Sequence, residues 1–347
     1  SSVLPGRGRA AIILSEGEIV MTRPVIGITI GDPSGVGPEI SLKALRNEEV
    51  LSSCIPVLYG DEAVLRRAAP IVGCTKEIVP IGGPEEAKEG RISVVSPGVL
   101  TGPYEFAKVQ GQCGRAAFAY IERAISDAMA GKIAAVVTGP LNKEALHAGG
   151  INYSGHTEIF ADLTGTKDYA MLLMGGGVRV IHVSTHVALR EACDRATKER
   201  VLTVIRLADK AVKALGVPEP RIAVAGLNPH SGESGLFGHE EIEEIIPAIE
   251  AARGEGMNVT GPVPPDTVFV KTLRGESDIV VAMYHDQGHI PLKITDFMGG
   301  VNVTVGLPII RTSVDHGTAY GKAGKGTADE SSMVSAVRAA VQFARNR

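Results

Sequence analysis

Cysteine is scarce: Cys54, Cys74, Cys113 and Cys193 are all that 347 residues contain, and no two form a CxxC pair. That argues for a reducing cytoplasm over a disulfide framework and makes thiolate metal ligation a poor expectation. Excess positive charge is missing too. The net charge of -4 gives no support for binding nucleic acid or an anionic membrane. No apolar run approaches the roughly 18 residues of a membrane span. The apolar patch near the start is too short for a signal peptide, and a fold-like pattern begins only after Met21, so residues 1–22 read as a tag or extension. Internal repeats and low-complexity tracts are absent, as is the GxGxxG dinucleotide fingerprint. The glycines at 31, 35 and 37 have other spacing, and no acidic residue closes a second strand about 20 residues on.

What remains is a succession of short apolar runs and amphipathic segments, the pattern of an α/β protein long enough for two domains. PVIGITIGDPSGVGPEISLKAL reads as strand, glycine-rich turn and helix, with Asp32 able to face a ligand and Pro38 suited to a first helical turn. GRAAFAYIERAISDAMAGK spaces its apolar residues by 3 and 4 and closes at Gly131. RISVVS reads as an exposed strand. Tyr169–Leu173 and Arg179–His186 read as a hairpin about the glycines at 175–177. Thr157 is placed to cap a helix whose start offers N–H groups to an anion. VNVTVGLPIIRTSV alternates like an antiparallel strand.

The histidines carry the chemistry. All nine lie after residue 146. VRVIHVSTH, RIAVAGLNPH and IVVAMYHDQGH each follow an apolar run with a histidine: His186, His230 and His285. Ligands of parallel sheets sit beyond the carboxyl ends of strands, so these three read as one metal site. Neutral imidazole suits Zn, Co, Ni or Fe, and three such ligands leave positions open for a substrate. His182, inside VIHVS, reads as a satisfied core residue, and His147 and His239 as surface residues.

GDPSGVGPE (31–39), TGPLNKEAL (138–146), SGHTE (154–158), STH (184–186), NPHSGE (228–233), MYHDQG (283–288) and GVNVTVGLPIIRTSVDHGTA (300–319) run in order along the chain. Together with the closing GKGTADE they resemble the 4-hydroxythreonine-4-phosphate dehydrogenases. GDPSGVGPE and DHGTAYGKAGKGTA also look like isocitrate and isopropylmalate dehydrogenases. The resemblance implies that kind of α/β fold, two α/β/α domains flanking an interdomain cleft. Residues 23–145 plus 305–347 would form the first domain, and 146–304 the second, with the metal and dimer region.

Further implications concern the site. His156, Thr157, Lys293, Asn302 and Arg311 would contact substrate. Asp315, His316, Gly317, Thr318 and Ala319 would form the adenine loop for NAD or NADP. His186, His230 and His285 would hold one divalent metal (Zn, Mg, Co, Ni or Mn), with His285 coming from the partner of a homodimer. Asp266 and Asp286 would add polar groups, and Lys293 or Asp286 would move protons. The implied reaction is oxidation and decarboxylation of a 4-phosphorylated 3-hydroxy acid in a cytoplasmic enzyme of pyridoxal phosphate synthesis. His289-Ile290-Pro291, TGTKDYAMLLM and PLNKEAL look more like a branch acting on D-threonate or D-erythronate 4-phosphate, giving dihydroxyacetone phosphate and CO2. A cyclic dihydrodiol dehydrogenase and a non-catalytic phosphometabolite-binding protein are the rival expectations.

Overall fold

The computed structural model describes residues 23–296 and 299–347, together with the backbone of two short paired strands, β1 (Ile12–Ile13) and β2 (Ile19–Val20). The expectation for residues 1–22 as a tag or extension otherwise lies outside the described residues. The chain divides into two compact units, Ser1–Thr166 with Leu307–Arg345, and Lys167–Gly306 with Asn346–Arg347.

In chain order the first unit contributes β3 (Val25–Thr29), β4 (Ile55–Tyr59), β5 (Ile78–Ile81), β6 (Ile92–Val95) and β7 (Ala135–Thr138). The second contributes β8 (Ala170–Gly175), β9 (Val178–His182), β10 (Arg221–Ala225), β11 (Asn258–Val263), β12 (Ile279–Ala282) and β13 (Val301–Val305). The chain then returns to the first unit with β14 (Ile310–Val314).

The first unit orders its strands β14-β7-β3-β4-β6-β5, every pair parallel. Parallel strands linked by helices are covered on both faces, and β7 and β6 are accordingly buried at every residue. RISVVS, expected to be exposed, is therefore an inner strand, because it pairs with β4 on one side and β5 on the other. Ile26, Ile28, Leu58, Val136 and Val137 are sealed from solvent, each worth about 1.5–3 kcal/mol of apolar burial. The long helix Gly111–Met129 ends before Gly131, which takes a left-handed φ of 73°.

The second unit orders its strands β11-β10-β12-β9-β8-β13. From β11 to β9 the pairing is parallel, while β8 runs antiparallel to both β9 and β13. The hairpin expected about residues 175–177 is thus present. The alternation of VNVTVGLPIIRTSV proves to be two strands: β13 is antiparallel to β8, and β14 is parallel to β7. Leu173, Val180, Ala225, Val280, Ala282 and Leu292 pack together as this unit's core.

Candidate active site

Three neighbouring parallel strands, β10, β12 and β9, release their chains at one sheet edge, where His230, His285 and His186 follow. Two buried side chains tie these exits together. Ser184 donates its hydroxyl to the Met283 carbonyl at 3.0 Å. Gln287 accepts the Met283 N–H at 2.7 Å and donates to the Gly226 carbonyl at 2.8 Å, so the segment carrying His285 is stitched to the one carrying His230.

His285 does not end a strand but opens the helix His285–Thr295. Its ring centroid lies 5.7 Å from that of His186. With a Zn–N bond of about 2.0–2.1 Å, two imidazoles sharing a tetrahedral ion have centroids about 5 Å apart, so this pair is spaced to share a cation. Asp286 accepts from His285 Nδ1 at 2.7 Å. An ionised carboxylate can only accept, so Nδ1 carries the proton and Nε2 keeps its lone pair for a metal. His289 stacks on His285 with centroids 3.5 Å apart and planes 11° apart. No ion can lie in the planes of two rings stacked face to face, so His289 packs against His285 instead of sharing an ion with it. Beyond it lies His182, 4.8 Å away. His182 is only half satisfied: Nδ1 meets the Met171 carbonyl at 3.2 Å while Nε2 is buried without a partner. Burial pushes its pKa down to about 3, which keeps the ring neutral.

His230 stands in unusual backbone. His230, Ser231, Gly232, Glu233 and Ser234 all have positive φ, between 43° and 79°, forming one left-handed turn. The four that are not glycine cost about 1–2 kcal/mol each, and strain of this kind persists where the surroundings over-determine it. Lys293 is half-buried on the helix that His285 opens. Among the described residues no three His, Cys, Asp or Glu side chains converge as a complete metal-donor set. The pair His186 and His285 fits the chemistry of a divalent ion, and a full set requires further donors. Asn302, on β13, donates to Met171 Sδ and leaves its buried Oδ1 without a partner. Asp266 is exposed ahead of the helix Val268–Leu273.

The first unit holds a different cluster. Arg311, on β14, is 2% exposed and donates to Thr138 Oγ1 at 2.9 Å, with its guanidinium 5.5 Å from the Phe160 ring centre. Burial pulls its pKa down to about 9 against the opposing pull of Glu158. It therefore stays cationic at neutral pH in surroundings that disfavour the charge on balance. His156 opens the helix His156–Leu163, and its Nε2 is buried without a partner. Burial, reinforced by the Arg311 charge, holds its pKa well below the usual imidazole value. Thr157 does not cap this helix. Gly155 occupies that position, leaving Thr157 in the first turn beside the free N–H groups.

The loop Asp315–Ala319 follows β14 in the same unit and is clamped by GDPSGVGPE. Val36 donates its N–H to the Thr318 carbonyl at 3.0 Å, Asp32 accepts the Tyr320 hydroxyl at 2.8 Å, and Glu39 accepts the N–H groups of Gly324 and Gly326 at 2.6 and 2.7 Å. Gly31 has φ of 73°, and a Cβ there would fall 2.1 Å from the Pro140 carbonyl oxygen, so the turn requires glycine. Desolvation raises the Asp32 carboxyl above its ordinary pKa despite its hydrogen bonds from Ser34 and Tyr320. Asp315 N–H reaches Ser332 Oγ at 3.3 Å, His316 is exposed, and Ala319 is left-handed. The motif that lacks the dinucleotide spacing thus serves as the anchor of the expected nucleotide loop.

Residues 52–340 match the family model described as pyridoxal phosphate biosynthetic protein PdxA. The chain belongs to this family. It is 48% identical over 327 residues to D-threonate 4-phosphate dehydrogenase of Cupriavidus necator, covering 93% of this chain and 98% of that protein. To the same-named protein of Salmonella typhimurium it is 49% identical over 328 residues, covering 93% and 100%. Among solved structures, 4-hydroxythreonine-4-phosphate dehydrogenase of Klebsiella pneumoniae matches with a TM-score of 0.85 at 47% identity, over 93% of this chain and 98% of that one. Terephthalate 1,2-cis-dihydrodiol dehydrogenase of Burkholderia xenovorans matches with 0.68 at 31% identity, over 92% and 98%.

Sequence patterns brought out His186, His230 and His285, and the family resemblance brought out Arg311. They did not bring out Thr138, Tyr320, Glu241 or the stacking of His289, which are contacts between segments far apart or several turns away. A hydroxyl or carboxylate buried by tertiary packing leaves no periodic trace.

Proposed function

We propose that the chain is an NAD(P)-dependent, divalent-metal-dependent dehydrogenase that oxidises and decarboxylates a 4-phosphorylated 3-hydroxy acid, with D-threonate 4-phosphate as its substrate. The carrying observation is the first unit's buried cation. Arg311 is held where burial disfavours its charge, beside a His156 whose Nε2 is orphaned, and a phosphate would complement that charge and give the nitrogen a partner. D-threonate 4-phosphate is favoured because curated relatives at 48–49% identity bear that name. A second reading, 4-hydroxythreonine 4-phosphate, draws on the names of solved structures at 47% identity.

Arg311, with Thr157 and the N–H groups at the start of its helix, would bind the phosphate dianion. Neutral His156 would donate from its ring without adding charge. The Asp315–Ala319 loop would seat the nucleotide, which accepts the hydride when bound. His186, His230 and His285 would hold the metal, which when bound polarises the substrate hydroxyl and then the ketone. Asp286 fixes the His285 tautomer, which makes it a positioning residue, so Lys293 is the better candidate to take the hydroxyl proton and return one after CO2 departs. The reading includes a homodimer; because His186 and His285 already stand together within one chain, the partner would supply a donor other than the His285 expected of it. The four free cysteines suit a reducing cytoplasm, and no helix among the described residues is long and apolar enough to cross a membrane.

The test is NAD(P)H formation with D-threonate 4-phosphate, 4-hydroxythreonine 4-phosphate, unphosphorylated D-threonate and a cyclic dihydrodiol. The highest kcat/KM is expected with the first. Preference for either unphosphorylated compound would refute a phosphate site at Arg311.

A further inference from the structure

The left-handed turn of residues 230–234 has an identifiable brace, and it is a single carboxylate. Glu241 lies just inside the next helical segment and is 1% exposed, a rare setting for a glutamate. Its Oε1 accepts the N–H groups of Leu227 and Asn228, both at 2.7 Å, and its Oε2 accepts Asn228 Nδ2 at 2.9 Å. The same carboxylate lies against the middle of the turn, so close that a Cβ on Gly232 would sit 2.7 Å from Oε2. Glu240 accepts a further bond from Asn228 Nδ2 at 2.7 Å. Glu241 holds the segment entering the turn by hydrogen bonds and packs against the centre of the turn at Gly232, and His230 lies between these two points.

We infer that Glu241 is a positioning residue for the metal site: it fixes the left-handed turn that aims His230, so that metal affinity depends on a carboxylate that never touches the metal. This rests on the assignment of His230 as a ligand under the proposed function. The physical reason is pre-organisation. A strained turn released from its brace relaxes toward ordinary right-handed or extended backbone, which re-aims the His230 ring, and the metal must then restore the strained form whenever it binds. Partners that orient ligands in this indirect way typically carry about 10–100-fold in metal affinity.

The test uses the full chain stripped of metal and titrated with Co2+, followed by chelator competition and the visible spectrum of bound Co2+, so that turnover is not needed. Glu241→Ala should weaken Co2+ binding by about 10–100-fold. Glu241→Gln should fall between it and wild type, because Gln keeps one acceptor for the two backbone N–H groups but turns an NH2 toward Asn228. Asn228→Ala, which removes only the side-chain bonds, serves if Glu241→Ala does not fold. His230→Ala must lose affinity itself, and adding Glu241→Ala to it should cost nothing more, since the brace acts only through that ligand. Wild-type Co2+ affinity in the Glu241 variants, with affinity lost in His230→Ala, would overturn the brace and leave the metal assignment intact. Wild-type affinity in His230→Ala would take down both. A fall in Tm without a fall in Co2+ affinity would mark Glu241 as structural only and so overturn the inference.

Discussion

Replacing Arg311 by Met separates stability from function, because the two should move in opposite directions. Burial pulls the pKa of the guanidinium down to about 9, and the drop, at about 1.4 kcal/mol per unit, sets a ceiling of about 5 kcal/mol on the penalty carried by its charge. Met has a similar length and no charge. It removes that penalty and loses the guanidinium's hydrogen bonds, among them the one to Thr138, each worth about 1 kcal/mol. Replacing a buried charge by a well-packed apolar side chain is often neutral or stabilising by about 1–4 kcal/mol, so the Tm of the substrate-free protein should hold or rise. Catalysis should fall. A phosphate about 4 Å from a cation at an effective dielectric of about 20 gains about 4 kcal/mol, and hydrogen bonds to charged groups net about 1.5–3 kcal/mol each. A loss of about 2–4 kcal/mol is about 30- to 1,000-fold in kcat/KM. The assay compares D-threonate 4-phosphate with D-threonate: only the phosphorylated substrate should suffer, mainly through KM. A steep drop in Tm with the preference for phosphate unchanged would refute the reasoning.

Three other outcomes are expected. His156 is neutral in the fold because its pKa is depressed, so its contribution is whole above about pH 6.5 and is lost as pH falls toward the folded pKa, at about 1.4 kcal/mol per unit. His156→Asn should flatten the pH dependence of denaturant unfolding between pH 6.5 and 5, and an unchanged slope would place that titration elsewhere. Asp286→Ala removes the acceptor that sets the His285 tautomer and should lower metal affinity about 10–100-fold, read by chelator competition; unaltered affinity would show that the tautomer needs no acceptor at this position. Asp32→Asn should loosen Tyr320 and raise KM for the nicotinamide nucleotide about tenfold, on the scale of a lost hydrogen bond to a charged group, with KM for the phosphorylated acid unmoved. Equal changes in both KM values would count against a loop-specific role.

The legible part of this protein was whatever repeats locally. Apolar runs such as IVVA and RIAVA announced parallel strands, and the histidines just past them lie at the end where parallel sheets deliver chemistry. His182 was half right: it is buried, yet one nitrogen has no partner. What depends on distant packing stayed hidden. RISVVS is buried because β4 and β5 flank it, which its own alternation could not reveal. Nothing in the spacing separates Glu241 from Glu240, Glu243 and Glu244; only the fold of residues 227–234 over one of them makes it a brace. Five successive left-handed residues are likewise invisible in PHSGES, where a single glycine would predict a single such position.

Histidines that follow three neighbouring parallel strands are proposed to serve one cation. Anomalous diffraction from crystals grown with Co2+ tests this directly. One peak per protomer, within about 2.2 Å of ring nitrogens of His186, His230 and His285, is the result predicted. A peak held by His182 or His289, or by carboxylates alone, would contradict it.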